Sequence, residues 1–254
     1  MARVDVRTYE KLSVEVYENK VELGRAAAAL AADRIRSVLS QKETANLLFS
    51  TGASQFEFVA ALKEFDLEWD RIEAFHLDEY LGIDANHPAS FRLWLTERIE
   101  RPYGPRKFHY IHGDTGDGEA ECRRYEELLA RNPIDLGFIG IGENGHIAFN
   151  DPPVADFNDE RGVKIVELDH ACRMQQVGEG WFPTVDDVPK YAITLTVPTI
   201  MKSKEIISVV PDQRKAQAVK DALTGPLAES CPASILRTHP NATLFLDLSS
   251  ASLL

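Results

Sequence analysis

Residues 135–153 read DLGFIGIGENGHIAFNDPP, and this stretch decides the fold that we expect for the whole chain. Its first part, Leu136 to Ile141, is an apolar run interrupted only by glycine, which is typical of a strand buried on both faces. Strands of this kind belong to parallel sheets that helices cover on both sides. The stretch therefore predicts an α/β protein with this strand in the centre of its sheet.

The second part of the stretch places polar groups where α/β sheets bind ligands. Asn144, His146 and Asp151 follow the predicted strand directly, and ligands bind beyond the carboxyl ends of parallel strands. Gly142 and Gly145 allow the backbone a positive φ and a close approach to a ligand. A surface histidine in a polar glycine turn is an equally good interpretation of this loop taken alone.

Predicted strands and helices alternate along the rest of the chain. Periodicity predicts strands at 12–16, 45–49, 72–77, 108–111, 136–141, 163–168, 191–197, 206–210 and 242–246. It predicts helices at 21–39, after Gln55, at 87–98, at 118–131 and at 215–223. Residues 173–189 are polar and glycine-containing, which favours a long loop or lid within a lid-like segment at about 169–190.

No composition break or internal repeat divides this alternating pattern. We therefore expect residues 1–254 to form a single α/β domain, a doubly wound, modified Rossmann-like, mostly parallel sheet with helices on both faces.

Composition excludes some classes of function. The chain has 254 residues and a formal net charge of −12, with 28 basic against 40 acidic side chains. Nucleic acids and anionic membranes are bound by basic surfaces, so we expect neither as a partner. A phosphorylated small molecule stays compatible with this charge, because loop amides, a helix N-terminus and one or two basic side chains hold an anion locally.

The cysteines and the N-terminal residues indicate a cytoplasmic protein. Cys122, Cys172 and Cys231 are odd in number and widely spaced, which favours a reducing compartment and no structural zinc. The first ten residues lack the apolar core of a signal peptide, and no apolar run reaches membrane-spanning length.

Three further segments have polar residues of the kind that bind or react with ligands. STGASQ, residues 50–55, lies between a strand and a helix and would cradle a phosphate through Thr51, Gly52, Ala53 and Ser54, although Ser54 is also a plain helix cap. Asp78 ends a strand as a candidate base or a solvated turn residue. Lys215 near a helix N-terminus suits a bound anion or an exposed helix face.

Four segments occur together in an order that resembles one family. They are FHLDEY at 75–80, HPASF at 87–91, GENGHIAFNDP at 142–152 and VPKYAITL at 188–195. The chain from about Leu47 onward resembles the glucosamine-6-phosphate deaminase (isomerase) family, which is related to the 6-phosphogluconolactonases. The resemblance implies a modified doubly wound fold and conversion of glucosamine 6-phosphate to fructose 6-phosphate and ammonia, with no cofactor and no metal. It leaves a homo-oligomer open, since many relatives self-associate.

The resemblance also implies roles for individual residues. Asp78 would take the C2 proton and His146 would serve ring opening, since imidazole both gives and takes protons near neutral pH. Asp151, where the family commonly has glutamate, would orient and charge-balance His146, and Asn144, where some members have aspartate, would orient it. The phosphate would lie between residues 51–54 and Lys215.

One family feature is missing from this sequence. Some deaminases place an arginine before a paired aromatic in the lid, whereas this chain has VGEGWF with Gly180 before Trp181 and Phe182. Either another basic residue such as Arg173 replaces that cation or the substrate is different.

Three alternatives therefore stay open. A 6-phosphogluconolactonase would use the same histidine to activate water, but that branch typically has GHTAS where this chain has GHIAFND, and it usually lacks LDEY. The second is a deaminase or isomerase for another amino sugar phosphate. The third is a sugar-phosphate-binding protein without turnover, because a fold does not guarantee activity.

Overall fold

A computed structural model describes residues 3–254. Its strands are β1 (Arg3–Tyr9), β2 (Leu12–Tyr17), β3 (Ala45–Phe49), β4 (Ile72–His76), β5 (Asp78–Tyr80), β6 (Lys107–His109), β7 (Leu136–Ile139), β8 (Val163–Glu167), β9 (Tyr191–Leu195), β10 (Glu205–Val210) and β11 (Ala242–Asp247). Its α-helices are α1 (Lys20–Leu39), α2 (Phe56–Ala61), α3 (Phe91–Leu95), α4 (Arg101–Tyr103), α5 (Gly118–Arg131), α6 (His170–Gly178), α7 (Val197–Met201) and α8 (Ala216–Thr224).

Eight strands form the main sheet in the order β1-β2-β11-β10-β7-β3-β4-β6. Every neighbouring pair is parallel except β1 with β2. All residues of β3 and β7 are buried, as expected for strands covered on both faces. The mostly parallel α/β sheet predicted from the sequence is therefore confirmed.

Two apolar cores lie on the two faces of this sheet. On one face α1 and α2 pack against side chains such as Leu47 and Phe138. On the other face α5 and α8 pack against side chains such as Leu48 and Ile139. Residues that alternate along one strand thus point into different cores, which fixes the register of β3 and β7.

A second, smaller sheet was not foreseen from the sequence. Strands β5, β9 and β8 form an antiparallel sheet in that order. The chain leaves the main sheet after His76 and joins the small sheet at Asp78, where Asp78 pairs with Thr194. The strand patterns at 163–168 and 191–197 were right, but a local pattern does not specify which sheet a strand joins.

Several predicted boundaries need correction. The loop predicted at 173–189 is wrong in its first part, because α6 continues to Gly178. The helix predicted from His87 begins at Phe91, since Ser90 is its cap and accepts a hydrogen bond from the Leu93 amide. Strand β1 had not been predicted. No helix within residues 3–254 is both long and apolar enough to cross a membrane.

Candidate functional site

The candidate site lies at the carboxyl ends of three adjacent strands, β10, β7 and β3. The chain crosses the sheet in opposite directions from this region, which is the switch point where α/β sheets bind ligands. A cavity opens there. It is lined by Ser50, Thr51, Gly52, Ala53, Ser54, Leu77, Asp78, Phe91, Gly140, Ile141, Gly142, His146, Ala148, Phe149, Gln175, Gln176, Glu179, Asp212, Arg214 and Lys215.

The loop after β3 is shaped to present polar groups to this cavity. Gly52 has φ 101° and ψ 173°, a conformation that is essentially restricted to glycine. The buried Gln55 amide donates to the Val209 carbonyl of β10 at 3.2 Å and to Ser54 Oγ at 2.9 Å, which ties the loop to the sheet. Ser54 makes no side-chain cap, so the alternative role as an N-cap is wrong.

Ser50 is a site residue that the sequence-based assignment did not include. Its hydroxyl is buried, lines the cavity and has no hydrogen-bond partner among residues 3–254. A buried hydroxyl left unpaired is costly, so a ligand oxygen would satisfy it.

Lys215 lines the same cavity and lies directly before α8. Its side chain is buried, and burial lowers the pKa of its ammonium group while Glu179 and Glu143 oppose that shift. No ion pair to Lys215 is present within the described chain, residues 3–254. The alternative of an exposed lysine on a helix face is therefore wrong, and an anion in the cavity would compensate its charge.

Asp212 shapes the approach to Lys215. It has φ 78° and ψ 140°, which a residue other than glycine rarely adopts and which costs about 1–3 kcal/mol. Strain of this size is typical of positions where backbone geometry serves a site.

The missing lid cation is not replaced by Arg173. The Arg173 guanidinium donates to the carbonyls of Val185 and Val188 and so holds the segment after α6. Arg214 lines the cavity instead and reaches Glu143 Oε1 at 3.3 Å. The sequence indicated this second cation, because Arg214 directly precedes the candidate phosphate ligand Lys215.

Asp78 also lines the cavity, at the first position of β5. Its side chain is buried, and burial raises the pKa of the carboxyl well above its usual range, with added repulsion from Glu79 and Asp151. A carboxyl with a raised pKa is suited to accept a proton near neutral pH. The alternative of a solvated turn is excluded by this burial.

Glu79 holds the backbone around Asp78. Its buried carboxylate accepts hydrogen bonds from the amides of Tyr80, Phe91 and Arg92 and from the Ser90 hydroxyl, at 2.8–3.1 Å. These bonds cap α3 and fix β5 against it. The resemblance had singled out the segments LDEY and HPASF separately, and this network explains why they occur together.

His146 faces the cavity with two acceptors behind it. Its Nδ1 lies 2.9 Å from Asp151 Oδ1 and 2.6 Å from Asn144 Oδ1. Asn144 Nδ2 in turn donates to Asp151 Oδ1 at 3.0 Å. Because both neighbours of Nδ1 accept, Nδ1 carries the proton and Nε2 keeps a lone pair in the neutral ring. Asp151, although one methylene shorter than glutamate, does reach the ring.

The pKa values of two neighbouring buried carboxyls, Asp78 and Asp151, are shifted in opposite directions. Burial alone would raise the pKa of Asp151, but the hydrogen bond and charge of His146 and the Asn144 amide outweigh burial and lower it. The pKa of Asp78 is raised. Two carboxyls whose environments shift their pKa values in opposite directions typically have different roles in acid–base chemistry.

We expect Gly142→Ala to reduce turnover without unfolding the protein. A Cβ at residue 142 would lie 2.2–2.4 Å from three ring atoms of His146, so the ring must move. A displacement of about 1 Å in a reacting group costs on the order of 100-fold in rate. Steady-state rates and thermal melting of Gly142→Ala would be compared with those of Gly116→Ala, where a Cβ meets nothing within 4 Å. An unchanged rate in Gly142→Ala would show that the ring position is not critical.

Helix α6 covers the cavity with residues that the sequence-based assignment missed. Gln175 and Glu179 line it, and Gln175 Oε1 accepts from the Glu143 amide at 3.1 Å. The apolar pair that follows docks on the core, since Phe182 is buried, stacks on His87 and meets Tyr80 edge to face. The polar composition and the glycines of this segment had led to the prediction of a loop instead of a helix.

Comparison with known proteins identifies relatives of the whole chain. A family model described as "Glucosamine-6-phosphate isomerases/6-phosphogluconolactonase" matches residues 18–245. A glucosamine-6-phosphate deaminase of Bacillus thuringiensis (strain Al Hakam) is 36% identical over 242 residues, covering 95% of this chain and 89% of the relative.

Solved structures agree with this result. A monomeric glucosamine-6-phosphate deaminase superposes with a TM-score of 0.85 at 32% identity, covering 95% of this chain and 99% of the other. A 6-phosphogluconolactonase from Thermotoga maritima superposes with a TM-score of 0.75 at 18% identity, covering 93% of this chain and 100% of the other. The second likeness concerns the fold alone.

Proposed function

Because this chain belongs to the family of glucosamine-6-phosphate isomerases and 6-phosphogluconolactonases, we propose that it converts glucosamine 6-phosphate and water to fructose 6-phosphate and ammonia. One observation carries the proposal. A single cavity holds a buried carboxyl with a raised pKa, an imidazole backed by a carboxylate, and an anion cradle with a buried lysine.

The phosphate of the substrate is held at the β3 and β10 end of the cavity. The hydroxyls of Ser50, Thr51 and Ser54 and the backbone around Gly52 donate to its oxygens, and Lys215 supplies charge. Arg214 adds a second cation, in place of the lid arginine of other deaminases. Anchoring at this end orients the sugar so that its reacting carbons meet Asp78 and His146.

Ring opening and proton transfer follow at the other end. His146 Nε2 takes the proton of the O1 hydroxyl and returns it to the ring oxygen, while Asp151 and Asn144 keep Nδ1 protonated. Asp78 then removes the C2 proton of the open aldehyde and delivers it to C1. Water replaces the nitrogen at C2, and ammonia leaves. The proposal needs no cofactor.

The substrate partner is a small sugar phosphate. Residues 1–254 act as a single domain, and residues 169–190 cover the cavity. Three free cysteines favour a cytoplasmic location.

The test is ammonia release by the purified protein from glucosamine 6-phosphate, with 6-phosphogluconolactone hydrolysis measured alongside. We expect ammonia and fructose 6-phosphate in equal amounts. Lactone hydrolysis alone would assign the chain to the other branch of the family. If neither reaction occurs, exchange of the C2 proton of other amino sugar phosphates distinguishes an enzyme with another substrate from a binding protein.

We expect Lys215→Met to raise KM and to leave kcat nearly unchanged. A charge-assisted hydrogen bond contributes about 1.5–3 kcal/mol, which corresponds to about 10- to 100-fold in KM. The loss is uniform for ground state and transition state, because the phosphate does not react. Lys220→Met, at an exposed lysine of α8, is the matched control. An unchanged KM in Lys215→Met would place the phosphate elsewhere.

A further inference from the structure

Behind His146 the structure brings Cys172 of α6 next to two side chains of the loop after β7, His146 and Asp151. One ligand atom each from His146, Asp151 and Cys172 lies within 4.8 Å of the others, and we call this group the His–Asp–Cys cluster. Cys172 comes from α6, and its side chain is 1% exposed. Cysteine spacing did not indicate this cluster, because Cys172 lies on α6 whereas His146 and Asp151 lie in the loop after β7.

One carboxylate oxygen in the cluster is unsatisfied. Asp151 Oδ1 is occupied by His146 and Asn144. Asp151 Oδ2 is buried and has no partner in hydrogen-bond geometry within residues 3–254, and the Cys172 thiol is the neighbouring group close enough to influence the carboxylate. A buried carboxylate oxygen without a donor is costly, and a cation would satisfy it.

The charges around the cluster also favour a cation. Asp78 is a second buried carboxyl close enough to influence both Asp151 and Cys172. Lys215, a basic residue of the cavity lining, also interacts electrostatically with Cys172. Around the cluster two buried carboxyls, Asp78 and Asp151, are thus opposed by one lysine.

The donor set selects the metal. One imidazole nitrogen, one carboxylate oxygen and one sulfur are ligands of Zn²⁺, which takes three protein ligands and an open fourth position in many sites. Sulfur disfavours Mg²⁺ and Ca²⁺, which prefer oxygen ligands.

We propose that the His–Asp–Cys cluster binds a thiophilic divalent cation such as Zn²⁺ and that the bound ion inhibits the protein. Three coordinate bonds form, to His146 Nδ1, Asp151 Oδ2 and Cys172 Sγ. The Cys172 S–H bond breaks and its proton goes to solvent, since the thiolate is the ligand. The proton on Nδ1 moves to Nε2 of the neutral ring, and Nε2 then donates and no longer accepts.

Inhibition follows from that proton shift. In the metal-free chain Nε2 faces the cavity with a lone pair, which ring opening requires. With the ion bound, this nitrogen has no lone pair, and Asp151 is held by the metal. The inhibitory part rests on the proposed function, whereas binding of the ion does not.

Binding is tested on the full-length protein after treatment with a chelator. Titration with Co²⁺ is expected to give a thiolate-to-cobalt absorption band that saturates at about one ion per chain, as one cluster requires. Zn²⁺ should remove the band and Mg²⁺ should leave it. Cys172→Ser should lose the band, and Cys122→Ser, a buried cysteine on α5, should keep it. If Cys172→Ser does not fold, Cys172→Ala replaces it.

Inhibition is tested separately with the ammonia assay. We expect Zn²⁺ to inhibit the unchanged chain and Cys172→Ser to need on the order of 100-fold more Zn²⁺, since even residues that only orient ligands change metal affinity by about 10- to 100-fold. No cobalt–thiolate band, or equal Zn²⁺ inhibition in Cys172→Ser and Cys122→Ser, would overturn the proposal. A band in a chain that releases no ammonia would support the metal site and reject the proposed function, so the two failures are distinguishable.

Discussion

Asp78→Asn is expected to lower kcat by about 100- to 10,000-fold, the contribution typical of a positioned general base. Sugar-phosphate binding should stay close to that of the unchanged chain, because the anion cradle lies on other loops. Asparagine has the same shape but accepts no proton from C2. Single-turnover rates and ligand binding by calorimetry separate the two effects. A near-normal kcat would remove Asp78 from its role.

The same substitution should stabilise the fold at neutral pH. Because folding raises the pKa of the Asp78 carboxyl, ionisation is less favourable in the folded chain than in the unfolded chain. This penalty is absent below the unfolded pKa of about 3.9 and increases as pH rises toward the folded pKa. Asp78→Asn should therefore unfold at higher urea concentration than the unchanged chain at pH 7, and the difference should vanish near pH 4 and below.

Asp135→Asn is the matched control for this prediction. Asp135 is also a buried carboxylate, but it lies just before β7, at the opposite end of that strand from the loop that leads to His146. There it accepts hydrogen bonds from Lys42, Lys204 and the Asn46 amide. Asp135→Asn should lower the free energy of unfolding by about 1–3 kcal/mol and leave kcat unchanged. Opposite effects on stability and activity in the two variants would confirm that burial of Asp78 serves chemistry.

His146→Gln is expected to slow turnover of ring-closed glucosamine 6-phosphate by about 100- to 10,000-fold. Glutamine keeps a polar side chain in the cavity but does not shuttle a proton between O1 and the ring oxygen. An analogue without the hydroxyls needed for ring closure bypasses that step, so it should lose much less rate.

The comparison of the two substrates decides the role of His146. An equal loss on both would argue against ring opening and for a role in the later steps. His112→Gln, at an exposed histidine outside the cavity lining, should leave both rates unchanged.

The sequence predicted the meeting of three loops because strand ends in a parallel sheet share one edge. Three segments follow strands of the main sheet: residues 51–54, the loop with His146, and the turn with Lys215. All three line one cavity. The burial and the contacts of each residue were harder to predict from the sequence. Burial of Asp78 depends on the small sheet, whose pairing of β5 with β9 joins residues more than one hundred positions apart.

Helix α6 shows why other features escaped prediction. Its residues Gln175 and Gln176, and Glu179 just after it, are polar because they face the cavity, so the periodic apolar pattern of a surface helix is weak. The position of Cys172 beside Asp151 arises only from the docking of α6 over the loop after β7. Arg173 was considered as a phosphate ligand because of its charge. Its guanidinium instead donates to the backbone carbonyls of Val185 and Val188, which fix its orientation.

The division into two sheets has a consequence for which sugars fit. The phosphate cradle belongs to loops of the large sheet, while Asp78 belongs to the small sheet. In the proposed reaction, the distance between these loops and Asp78 therefore sets the number of carbons between the phosphate and the carbon that loses its proton. We expect the protein to discriminate among sugar phosphates by chain length through this spacing.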